Sequence, residues 1–138
     1  MLRLLAVASV SLLLVSCDDT TACTEVGCEN EAVVTFPAGL ITGPYELTLS
    51  NGSQMETYIC NDQSRAPENP EGVSCDAAGF ELVGSVFAAR SSVFVTIISE
   101  TGDALLERRE VTLQAVETVQ PNGPDCEPTC VVRNGRVQ

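Results

Sequence analysis

The most regular stretch of the chain is 45–50, where Tyr45, Leu47 and Leu49 alternate with Glu46, Thr48 and Ser50. Period-two alternation buries one face of a strand and leaves the other in solvent. Asn51-Gly52 follows and marks a two-residue hairpin turn, so a return strand is expected over 54–60. A shorter alternation predicts a strand over 31–36, with Val34 and Phe36 on one face. The β-branched stretch 92–99 reads as a buried strand, and Thr101-Gly102-Asp103 turns the chain after it. Residues 80–88 are apolar but interrupted by Gly84, which predicts a bulge. A last strand is expected over 130–137.

Two stretches are less regular. Residues 61–79 are polar, carry Pro67, Pro70, Gly72 and Gly79, and have no period, so a long loop is expected there. Residues 104–119 fit two patterns. As a helix capped by Asp103, they would put Leu105, Leu106, Leu113 and Val116 on one face, marred by Arg109 and Thr112. As strands, Val111, Leu113 and Ala115 alternate with Thr112 and Gln114. Strands are expected, because the Gly102 turn follows a strand and sequential strands commonly pair. Pro121-Asn122-Gly123-Pro124 breaks the chain. About seven short strands with frequent turns read as an all-β fold, a small two-sheet sandwich.

The N-terminus has another texture. After Met1-Leu2-Arg3, residues 4–15 are apolar apart from Ser9 and Ser11. That run falls short of the roughly twenty residues a bilayer requires and fits the apolar region of a signal peptide. It ends in Leu14-Val15-Ser16-Cys17, which resembles the lipobox of bacterial lipoproteins. The resemblance implies cleavage before Cys17 and acylation of its thiol and new amino group. Two or three chains, at about 0.8 kcal/mol per buried methylene, hold stably where one does not. The expected organisation is a signal peptide over 1–16, an anchor and short tether over 17–28, and a sandwich domain over 29–138. Asp18 and Asp19 follow the lipidated position and resemble an inner-membrane retention signal of enteric lipoproteins. The expected location is the cell envelope, lipid-anchored and facing the periplasm or the exterior.

Charge narrows the function classes. Seven Arg and no Lys face 19 acidic residues, a net charge of −12. That balance argues against nucleic acid, whose phosphates require cationic contacts, and against an anionic membrane surface except through the anchor. With no His, the chain has no Ser-His-Asp triad, Cys-His dyad or imidazole base. Asp62, Glu68, Glu71 and Asp76 lack the spacing of a calcium loop. Among 19 acids chance carboxylate pairs are inevitable, so they read as a solvated surface. Arg108-Arg109, between Glu107 and Glu110, reads as a solvated strand face. No metal and no cofactor are expected.

Setting Cys17 aside leaves six cysteines: Cys23, Cys28, Cys60, Cys75, Cys126 and Cys130. An even number in an oxidising compartment predicts three disulfides. Cys60 with Cys75 closes a loop worth about 3 kcal/mol in the chain-entropy model. The other four either pair locally, 23 with 28 and 126 with 130, or cross between the chain ends; crossed pairing is favoured because local rings stabilise little.

The run PNGPDCEPTC, with FELVGSVFA and VFVTI upstream, resembles small lipoproteins of myxobacteria and their relatives. The resemblance implies an immunoglobulin-like or transthyretin-like sandwich and carries no activity or site residues. A non-enzymatic binding or structural module of the envelope is expected, its protein partner unspecified. The alternative is an enzyme inhibitor presenting the disulfide-closed 60–75 loop. Thiol counting on the folded protein should find none free besides position 17, and mass mapping should find three bridges. Stoichiometric zinc in protein purified without reductant would contradict the scheme.

Overall fold

The computed structural model describes residues 23–61 and 69–138. Among them are nine strands and no helix. They are β1 (Glu31–Thr35), β2 (Tyr45–Ser50), β3 (Met55–Cys60), β4 (Val73–Asp76), β5 (Gly79–Val83), β6 (Ser92–Ser99), β7 (Ala104–Thr112), β8 (Gln114–Val119) and β9 (Cys130–Arg136). One sheet has the order β4-β5-β1-β9-β8 and the other β3-β2-β6-β7. Every paired neighbour is antiparallel except β1 and β9, which run parallel. The protein is a two-sheet sandwich.

The core lies between the sheets and is built by alternation. In β2, Tyr45, Leu47 and Leu49 are buried; in β6, Val93, Val95 and Ile97 are. From the five-stranded sheet come Ala32 and Val34 of β1 with Phe80 and Leu82 of β5. Each fully buried aliphatic side chain contributes about 1.5–3 kcal/mol of transfer free energy. Phe36 spans the gap, 6.2 Å from the Tyr45 ring edge-on and 5.9 Å from Phe80. The Tyr45 hydroxyl donates to the Asp76 carbonyl at 2.7 Å, tying β2 to β4 across the layers.

The two flanks are closed by different means. On one, Cys60 of β3 is bonded to Cys75 of β4, with Cα atoms 5.5 Å apart. On the other, the chain itself crosses between sheets at Leu113, which separates β7 from β8. Leu113 is buried, and its N–H donates to the Ser91 carbonyl at 2.8 Å. Residues 104–119 are therefore strands, broken where one sheet hands the chain to the other. At the sandwich's end, Cys23 is bonded to Cys126 and Cys28 to Cys130, the crossed arrangement. Thr24 and Val26 also bond to the Asn122 side chain.

Three local expectations need correction. The stretch read as a loop over 61–79 contains β4, whose Val73 and Cys75 are buried and paired against β5. Four residues with two inward positions carry too little period to be read as a strand; pairing with β5 and the Cys60 bond supply the rest. Gly84 does not form a bulge but ends β5 at φ 70°, its N–H donating to the Asn30 carbonyl. The β2–β3 turn is centred on Gly52 and Ser53 instead of Asn51 and Gly52. Ser50 pairs Met55, and the Asn51 N–H closes onto the Gln54 carbonyl. Asn51 stands before the turn because its Oδ1 accepts from the backbone N–H groups of Ser53 and Gln54. Gly52, at φ 93°, takes the first central position of a type II′ pattern.

Gly79 shows how tightly β1 and β5 meet. A Cβ there would lie 1.9 Å from the Val34 carbonyl oxygen, and φ is 156°. Gly102, at φ 90°, faces open space. Gly79→Ala should cost about 3 kcal/mol or more, because two backbones must separate. Gly102→Ala should cost only the left-handed penalty of about 1–2 kcal/mol. Denaturant midpoints of the two variants distinguish these costs; equal losses would contradict the close approach.

Candidate functional site

The structure places the residues singled out by sequence in three ways. Cys17, Asp18, Asp19, Asp62 and Glu68 lie outside the described residues. The six remaining cysteines are consumed by the three bridges. Of the acids weighed for calcium, Glu71 is exposed, and the Asp76 carboxylate accepts from the N–H groups of Ala78 and Gly79. Among the described residues no three His, Cys, Asp or Glu side chains gather as a metal set. The C-terminal half of the 60–75 loop folds back onto the sandwich: Asn69 is buried, and β4 joins a sheet. Arg108 lies 3.6 Å over the Phe94 ring, and Arg109 donates to the Gln138 carbonyl at 2.9 Å.

A protein partner reaches a sandwich by an edge or by a face, and here the edges are blunted. At β3, Asn69 takes the place of a neighbouring strand. Its Oδ1 accepts from the Ile59 N–H at 3.1 Å, and its Nδ2 donates to the Ile59 carbonyl at 2.7 Å. β4 has four residues. β7 shifts register opposite Val95 and Ile97, and β8 shifts between Ala115 and Glu117. Short edges, bulges and capped ladder groups are the devices that keep edges from pairing.

The faces differ from each other. On the outside of the four-stranded sheet, the pairing of β3, β2 and β6 sets out three rows. Ile59, Glu46 and Ile98 form the first, and Thr57, Thr48 and Thr96 the second. The third is Met55, Ser50 and Phe94. Thr48 and Thr57 are hydrogen-bonded through their hydroxyls at 3.0 Å. One of these nine positions is charged. The outside of the other sheet carries Glu31, Asp76, Glu81, Glu117 and Arg136. β7, the fourth strand of this sheet, sets Glu110 opposite Phe94 and Arg108 over its ring, so the charge-poor area is confined to β3, β2 and β6. In a chain of net charge −12 that area is a local depletion of charge.

The first row opens into a cavity of about 440 Å³ lined by Tyr45, Glu46, Ile59, Ile98 and Glu100, with Pro44 behind. Among the described residues the Glu46 and Glu100 carboxylates have no hydrogen-bond or ion-pair partner. Elsewhere, a groove of about 530 Å³ between β7, β8 and β9 sets Arg136 and Arg109 beside Glu110. A cavity of about 260 Å³ lies by Tyr58, whose hydroxyl donates to the Glu56 carboxylate. Comparison with known proteins adds no relative, since no family model, no curated protein and no solved structure matches the chain.

The charge-depleted face escaped sequence reasoning. Its residues are the outward half of strands recognised by their inward half, and only sheet order puts Ile59, Glu46 and Ile98 in one row. Asn69 was hidden in a polar stretch with no period.

The two tyrosines of the chain are both buried and both shifted. Burial, aided by the Asp76 charge, pushes the Tyr45 phenol far above its ordinary 10.0. Burial, then the hydrogen bond and charge of Glu56, do the same for Tyr58, against a smaller opposing contribution from Ser85. A raised folded-state value means the native protein keeps protons that the unfolded chain releases. Stability is therefore fully present below pH 10.0 and falls above it. The expected slope is about 1.4 kcal/mol per pH unit for each tyrosine. Tyr45→Phe should halve it, and native protein should show no tyrosinate absorbance until it unfolds. Tyrosinate formation in the folded state near pH 10.0 would contradict the assignment.

Proposed function

We propose that the protein is a lipid-anchored, non-enzymatic binding or structural module of the cell envelope, held through Cys17 and facing the periplasm or exterior. One observation carries the reading. Six of the seven cysteines pair with one another, which leaves Cys17, the residue closing the lipobox-like run, as the odd one. Three disulfides suit an oxidising compartment, and an odd cysteine in such a protein calls for a separate role. The resemblance to small myxobacterial-type lipoproteins agrees with that role. The absence of His from the whole chain supports binding over acid–base catalysis near neutrality. The inhibitor alternative needs a protruding 60–75 loop. Its support is weakened by Asn69 and β4, which draw residues 69–76 into the sandwich.

Expressed in a bacterium, the chain should partition into the detergent phase, and Cys17→Ala should accumulate unprocessed. A water-soluble wild-type product would overturn the anchor. Turnover in a broad hydrolase screen, abolished by one Asp or Glu substitution, would overturn the non-enzymatic class.

A further inference from the structure

Outside β3, β2 and the Ile98 end of β6, away from Phe94, which Arg108 of β7 covers, the sheet face is open, and its chemistry specifies what fits it. We propose that this face docks an extended protein segment that is apolar and basic, with one cationic side chain seated in the cavity between Glu46 and Glu100. The inference deepens the binding-module reading and rests on it.

Three observations carry it. The first is composition: across β3, β2 and β6 the outward positions are threonine, serine, isoleucine, methionine and phenylalanine, with Glu46 the one charge. Ile59 is 45 % exposed and Met55 74 %. The charges of this sheet gather on β7, where Glu110 pairs Phe94 and Arg108 lies over its ring, so the part formed by β3, β2 and the Ile98 end of β6 is cheap to desolvate. The second is the cavity. Ile59 and Ile98 flank Glu46, so a lysine or arginine stem can lie on the isoleucines while its cationic head meets carboxylate. Glu100 supplies the second carboxylate, and neither acid is engaged by a cation among the described residues. The third is the edges. Because Asn69 caps β3 and bulges interrupt β7 and β8, strand addition is disfavoured and the partner lies on the face.

Size and charge decide between a partner segment and a second copy. From strand spacing and rise, the three rows span roughly 250–300 Å² per side. A stable protein pair buries about 800 Å² per partner. Two copies would also bring together two bodies of net charge −12. An extended basic segment meets both constraints.

The test uses the full-length chain, isotope-labelled, in micelles of an uncharged detergent. The probe is a short capped peptide alternating valine with arginine, and the control replaces each arginine with glutamate. Amide shifts should cluster at Glu46, Ile59, Ile98 and Gly102. Affinity should fall roughly tenfold in Glu46→Gln/Glu100→Gln and also fall in Ile59→Ser. Both changes are on the surface, and the unchanged dispersion of core amides verifies the fold. Shifts spread over the acidic surface or centred on the β7–β9 groove would overturn the proposal, as would equal binding of the glutamate peptide. So would self-association in sedimentation that Ile59→Ser abolishes, since that assigns the face to a second copy. Detergent-phase partition and turnover are read separately. A failed peptide titration therefore leaves the anchored-module reading standing, and measured turnover removes that reading whatever the peptide does.

Discussion

Closing the two flanks of the sandwich is the constraint on which the rest depends. The sheets share one layer of side chains, and that layer stays dry only if neither flank opens. A long loop on one flank would carry a large closure cost, which the bond between Cys60 and Cys75 removes. On the other flank no crosslink is needed, because Leu113 buries its side chain at the point where the chain passes between sheets. Phe36 and the Tyr45 hydroxyl then bridge the layers inside a space whose width is already set.

The two terminal bridges work differently. Cys23–Cys126 closes a span of 103 residues, for which the chain-entropy model assigns about 4.7 kcal/mol. Cys28–Cys130 spans nearly the same segment, so with the first bond in place it closes only a small ring and adds much less. Its effect is local. It fixes the entry to β1 beside the entry to β9, the one parallel pair in the fold. Parallel neighbours cannot be joined by a tight turn and must be brought together from far along the chain. The bridges make that meeting covalent at the end from which both strands set out.

The same economy shapes the surface. A sandwich has four sheet edges, each a row of unpaired backbone groups. Asn69 answers this at β3 with its side-chain amide, β4 by its shortness, and β7 and β8 by shifted register. With strand addition discouraged at every edge, the accessible charge-poor surface is the outside of β3, β2 and β6, where Glu46 is the one charge. The docking proposed there would ask for side-chain complementarity instead of backbone pairing, which would rest on a few residues such as Glu46 and Ile59.

The amino-acid order by itself determined the strands with clear alternation or a sustained β-branched run. Tyr45–Ser50 is found at its predicted bounds because three inward residues alternate with polar neighbours, and Ser92–Ser99 because its β-branched run is bounded by polar residues and the Gly102 turn. It also determined the disulfide count, the all-β class and the net charge of −12. β4 was illegible, since two buried residues in a proline-containing polar stretch make no period. The break at Leu113 was equally hidden, because β7 and β8 continue one alternating pattern and differ only in the sheet they join. Tertiary structure alone decided sheet order, the parallel β1–β9 pair and the row of Ile59, Glu46 and Ile98. Period-two patterning states which side of a strand is buried. Which strands then lie beside it is settled by packing between residues far apart in the chain, and a face made of three strands exists only once that packing is complete.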